Sequence, residues 1–148
     1  MKKWIMMFSL CLAVFLSGCS LVEGVNQSLD YVNKTTIYVN EVVAFADEIQ
    51  PIAAEAIASE EARMELEQKL ESMKTDIQTF NEIQPPGIAA GIHEQLIEHN
   101  ATLENGVNLY LEHIENGELD IKVLEEVGII NTIMDMTSIL DQIKSLGE

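Results

Sequence analysis

Residues 22–49, VEGVNQSLDYVNKTTIYVNEVVAFADEI, decide the fold. Val22, Val25, Leu29, Val32, Thr36, Val39, Val43 and Ala46 recur at spacings of three and four, which is one stripe on an α-helix. Tyr31, Tyr38 and Phe45 recur every seventh position and draw a second stripe beside the first. The pattern predicts a helix over about residues 21–49. Its two stripes together cover about half of the circumference, at 100° per residue. A surface helix needs a face only somewhat over 100° wide. Either the helix packs deep and touches two neighbours, or the Val22–Ala46 stripe builds the core. In the second case Tyr31, Tyr38 and Phe45 stay partly exposed, and they are the candidate interface residues. Tyrosine and phenylalanine suit that role, since they bury much area at little entropic cost.

Working outward, Pro51 interrupts the pattern, because proline lacks the amide donor and restricts the residue before it. Residues 51–58 are nearly all Ala and Ile and read as a short buried helix or a kinked extension. Ser59 then precedes Glu60 and Glu61, an N-cap with acids in the first turn. The second long helix runs to about Glu82 on a seam of Ala62, Leu66, Leu70, Met73, Ile77 and Phe80. Arg63 with Glu67 and Glu65 with Lys69 stand at i,i+4 on its outer face. Pro85-Pro86-Gly87 separates it from a third helix at about Ile88–Glu115. There Ile92, Leu96, His99, Leu103, Val107, Tyr110 and Ile114 lie along one side.

Asn116-Gly117 is a helix stop. In the last segment, Leu119–Leu146, the apolar set Leu119, Val123, Leu124 and Val127 is out of phase with Ile129, Ile133, Met136, Leu140 and Ile143. On one ideal helix the two sets point opposite ways, so a break at Gly128 is expected. With no period-two alternation and no long repeat, the chain is expected to be all-α. Its expected form is an up-and-down bundle of four long helices, or a three-helix bundle with the first helix as a stalk.

The beginning of the chain has a different character. Lys2 and Lys3 precede an almost unbroken apolar run from Trp4 to Leu16, then Ser17-Gly18-Cys19. A basic start, a short apolar stretch and small residues are the layout of a secretory signal peptide. The run is about 13 residues, short of the roughly 20 that span a bilayer. Leu16-Ser17-Gly18-Cys19 resembles a bacterial lipobox. That resemblance implies cleavage between Gly18 and Cys19, and lipid, palmitate among it, on Cys19. Residues 1–18 are then a leader, and residues 19–148 a single domain, long enough for one continuous core. Cys11 leaves with the leader and Cys19 is lipidated, so the mature chain has no thiol to spare and no disulfide. The expected location is the extracytoplasmic face of the cell membrane.

Charge narrows the partners. The chain carries 25 acidic and 8 basic side chains, for a net charge of −17; Lys2 and Lys3 leave with the leader, which makes it −19. The acids crowd into residues 41–76 and 82–126. Such a chain repels nucleic acid and anionic head groups. It has no polybasic patch, so lipid on Cys19 must do the anchoring.

Motifs for chemistry are sparse. His93, His99 and His113 all fall on the third helix. The residues three before His99 and His113 are Leu96 and Tyr110, which does not match the Glu-x-x-His spacing of bundle metal sites. His99 is expected in the apolar seam and His93 away from it. Met134 and Met136 diverge by about 200° on a helix and cannot chelate together. The mature chain has no Gly-x-Ser-x-Gly, no free cysteine and no glycine-rich phosphate loop. No metal, cofactor or catalytic residue is therefore expected.

The stretch Gly18-Cys19-Ser20-Leu21-Val22-Glu23-Gly24-Val25-Asn26, followed by Leu29-Asp30-Tyr31-Val32-Asn33, resembles a group of small lipoproteins of Bacillus-like bacteria whose function is unknown. The resemblance implies a Gram-positive cell envelope and supplies no catalytic or binding residues. The expectation is a membrane-anchored, non-catalytic helical interaction module that meets an envelope protein or a second copy of itself. The alternative is a ligand- or cation-binding lipoprotein with a pocket between its helices.

Overall fold

The structure, a computed structural model, describes residues 19–146; the expected leader, residues 1–18 with Gly18, lies outside the described residues. The described elements are all helical. Helix α1 spans Cys19–Ala56, α2 Glu60–Asn81, α3 Ala90–Glu115, α4 Ile121–Glu126 and α5 Ile129–Ser145, with a 3₁₀ turn at Gly87–Ala89 before α3. Helix α1 packs on α2 and α5, and α3 packs on the same two, so α1 and α3 lie on a diagonal. This is the expected up-and-down bundle, with its fourth leg divided into α4 and α5.

Helix α1 corrects one expectation and decides between two others. First, Pro51 lies inside it, and its 38 residues run unbroken. Pro51 and Asp47, one turn earlier, are both exposed, so water can serve the carbonyl that proline leaves without a donor. Ile49, Ala53 and Ala56 are buried and hold this stretch against the bundle. Second, of the two readings the helix packs deep against two neighbours, with the whole aromatic stripe and part of the aliphatic one turned inward. Tyr31, Thr35, Tyr38, Val39, Val42, Phe45 and Ile49 are buried, whereas Val32, Val43 and Ala46 are only partly covered and Leu29 is 45% exposed.

Helix α2 follows its sequence pattern closely. The Ser59 Oγ accepts the Ala62 amide at 3.2 Å, and the buried residues are Ala62, Leu66, Leu70, Met73, Ile77 and Phe80. Each fully buried leucine or isoleucine here contributes about 1.5–3 kcal/mol. The two expected pairs within the helix do not form among the described residues: Lys69 reaches across to Glu48 of α1, and Lys74 pairs with Glu71 at 3.3 Å.

Helix α3 is rotated slightly from expectation. Its core line is His93, Leu96, Asn100, Leu103, Val107, Tyr110 and Ile114, while Ile92 and His99 are half-buried. Gly106 lets the chain after α4 cross close to α3. A Cβ there would stand 2.7 Å from the Val127 carbonyl oxygen. The break at Gly128 is as expected: its φ of 78° is left-handed, a conformation glycine takes at no steric cost. It turns Val123 and Leu124 on one side, and Ile129, Ile133, Met136 and Ile143 on the other, into the same core.

Candidate functional site

Helices α1 and α3 run parallel, with their core lines in register. Tyr31 meets His93 and Tyr38 meets Asn100, each pair 62 residues apart, so one seven-residue step on α1 matches one on α3. The Tyr31 hydroxyl and His93 Nδ1 share a hydrogen bond of 3.2 Å. The Tyr38 hydroxyl donates to Asn100 Oδ1 at 2.6 Å, and Asn100 Nδ2 donates to Asn81 Oδ1 at 2.7 Å. Phe80 from α2 completes the cluster. It stacks on Tyr38 with centroids 4.2 Å apart and planes 14° apart, and it lies 5.3 Å from the His93 ring. Tyr31 meets His93 edge-on at 5.8 Å.

Burial sets the ionisation of this cluster. Desolvation pushes the Tyr31 and Tyr38 hydroxyls above the ordinary phenol range. The Asn100 hydrogen bond partly opposes this for Tyr38, and the nearby Asp76 carboxylate reinforces it. His93 is held below the ordinary imidazole value by the same loss of solvent. The cluster is therefore neutral near pH 7. It fixes the register of the diagonal helices, because buried polar groups without partners are costly.

The candidate interface residues are placed differently from expectation. Tyr31, Tyr38 and Phe45 are 2%, 5% and 6% exposed, so their side chains belong to the core and offer no interface area in this monomer. The physical reason is the register with α3, which gives the two tyrosines buried hydrogen-bond partners that an outward stripe would lack. The histidine assignment is likewise reversed. His93 lies in the core line with a partner, and His99 sits at its edge. His113 pairs with Glu118 at 3.0 Å on the exposed end of α3. Among the described residues no group of three His, Cys, Asp or Glu side chains is placed to hold a metal ion. Cys19 is the first residue of α1, and no described helix is long and apolar enough to cross a membrane. The polar pair His93 and Asn100 was the part missed from sequence. Its signal was present: both recur at seven, as Tyr31 and Tyr38 do.

On the outer side of the same elements, three clefts follow one another along α1, the first against the segment after α2 and the other two against α2. A cleft of about 390 Å³ lies beside Tyr31, Lys34, Pro85 and Pro86. The next, about 190 Å³, shares Lys34 and Ile83 with it and adds Ile37, Glu41 and Asp76. The third, also about 190 Å³, shares Glu41 and Asp76 and ends near Glu48 and Lys69.

Fold and site together define a four-helix bundle carried on a long first helix, with a polar seam joining its diagonal pair. The chain belongs to the family of unknown function DUF6376, whose match spans residues 31–146 and so begins at the first buried tyrosine. It is also 36% identical over 131 residues, 88% of each chain, to the "uncharacterized lipoprotein YybP" of Bacillus subtilis (strain 168). No solved structure matches. The Bacillus-type lipoprotein family expected from the residues is thus the right one, and the likeness points to attachment at a membrane by lipid.

Proposed function

We propose that the protein is held on the extracytoplasmic face of the cell membrane by lipid on Cys19, and that its bundle acts there as a non-catalytic interaction module. The observation that carries this is the continuity of α1 from Cys19 to Ala56. The residue to be acylated and the core of the bundle share one helix. Tyr31, in the buried polar seam, lies roughly 18 Å along that helix from the anchor. Two acyl chains, at about 0.8 kcal/mol per buried CH₂, suffice for stable attachment without help from charge. The closed core, with its tyrosine and asparagine groups hydrogen-bonded to one another, supports a binding role over a catalytic one.

Replacing Cys19→Ala tests the anchor. The expected result is an unprocessed precursor or release of protein to the medium; unchanged mass and unchanged membrane fractionation would refute it. In-cell crosslinking from exposed bundle positions, read by mass spectrometry, tests the module. Reproducible capture of one envelope protein or of a second copy supports it. The alternative, a ligand- or cation-binding lipoprotein, is favoured by one observation, the cleft of about 390 Å³ beside Tyr31.

A further inference from the structure

The three clefts along α1, two against α2 and one against the segment that follows it, form one groove. Their shared residues join them end to end, from Gln27 to Glu48 on α1, which is about 32 Å of helix. Buried rings of Tyr38, Phe45 and Phe80 lie along its floor, and Ile37 stands on its wall 57% exposed. The charges along it are not evenly matched. At the end nearer the anchor Lys34 pairs with Asp30 at 2.8 Å, and at the far end Lys69 pairs with Glu48. Between them Glu41 and Asp76 flank the middle of the groove, and among the described residues neither has a cation within ion-pair distance.

We propose that this groove is the docking surface for a basic amphipathic helix of a partner protein, which lays its apolar face over Ile37, Ala44 and Ile83 and sets a lysine or arginine between Glu41 and Asp76. The proposal rests on the interaction-module reading and names its surface and the chemistry of its partner. Charge complementarity selects the occupant. A second copy of this chain would bring another strongly acidic surface, and like charges across an interface disfavour that pairing. An anionic membrane surface is repelled for the same reason. A helix seated in a groove between two others buries its apolar face as a fifth helix would, and about twenty residues fill the length available. Partial burial already disfavours the ionised form of Asp76, whose carboxyl is raised above the ordinary range. A cation seated beside it would reverse that.

The test uses the chain from residue 19, which holds every described helix and the whole of their core. The probe is a synthetic helix of about 21 residues, with leucine on one face and lysine on the other, titrated by calorimetry. An otherwise identical peptide with glutamate in place of lysine is the control. The basic peptide should bind and the acidic one should not. Glu41→Gln with Asp76→Asn should weaken binding about tenfold or more, and the exposed change Ile37→Ser should weaken it as well. Glu112→Gln with Glu115→Gln, on the outer face of α3, removes the same charge and should change affinity by less than about twofold. Circular dichroism confirms that each variant keeps its helices. No binding of the basic peptide would overturn the proposal, as would equal loss from both charge-removing pairs, which would mean diffuse attraction to an acidic protein. Either failure leaves the in-cell crosslinking test of the module to stand or fall by itself.

Discussion

Replacing Tyr38→Phe removes one oxygen and leaves the rest of the site in place. The ring keeps its stack on Phe80 at 4.2 Å, so the change isolates the hydroxyl. That hydroxyl donates to Asn100 Oδ1 at 2.6 Å, and Asn100 is fully buried. Without it, the carbonyl of the Asn100 side chain loses its partner where water does not reach. A buried acceptor left unpaired costs about 1–3 kcal/mol. For a domain of this size, each kcal/mol lowers the melting temperature by roughly 3–5 °C. Asn100→Leu alone should cost a similar amount, because it leaves the Tyr38 hydroxyl buried and unpaired. The double variant should cost less than the sum of the two, with a coupling of about 0.5–3 kcal/mol, since both partners then go together. Asn81, the third member, is exposed and can turn to water. Tyr110→Phe is the internal comparison. Its hydroxyl is buried with no hydrogen-bond partner among the described residues, and its pKa is pushed up to about 12 by burial, with Asp120 adding to the effect. Losing that oxygen should be neutral or slightly stabilising. Urea melts of the four variants measure all of this. A Tyr38→Phe cost below about 0.5 kcal/mol, or equal costs at Tyr38 and Tyr110, would refute the reasoning that a buried hydrogen bond sets the register of α1 and α3.

Two further outcomes are expected. Gly106→Ala should destabilise by about 1–3 kcal/mol, because its Cβ would stand 2.7 Å from a backbone oxygen that must move, whereas Gly91→Ala, with nothing within 4 Å, should be neutral or stabilising by up to about 1 kcal/mol; thermal melts showing the same sign at both would contradict the close approach of Val127. His93, whose pKa is lowered in the folded state by burial, binds its proton more readily when unfolded. Its contribution is complete above about pH 6.5 and declines as pH falls below that toward the folded value. Asp76, raised by burial, acts with the opposite sign, and its window opens near pH 3.9 upward. Urea melts across pH 7.5 to 5 should therefore show a fall in stability that is smaller in His93→Phe; an unchanged slope would mean that His93 does not titrate in this range.

Much of the bundle is legible in the residues alone. Helix α2 could be read to the residue, because charged or polar side chains occupy every outward position but Met64 and leave one apolar seam. The break at Gly128 could be read as well, since two apolar sets out of phase can share a core only if the helix divides, and glycine is the residue that divides it cheaply. The resemblance of Leu16-Ser17-Gly18-Cys19 to a lipobox is a local pattern and needs no fold to be recognised. Helix α1 is different. Its apolar residues cover about half of its circumference, so the sequence determines that it is amphipathic without determining which stripe turns inward. That choice belongs to the partner across the bundle. His93 and Asn100 repeat at the same step of seven as Tyr31 and Tyr38, and only the parallel placement of α3 brings the four together. The same placement puts His93 in the core rather than His99. Packing of Ile49, Ala53 and Ala56 likewise carries α1 through Pro51, where local preference would end it. A local pattern records how each helix divides oil from water. Which of two apolar faces is buried depends on hydrogen-bond partners some sixty residues away, and that is decided only when the helices meet.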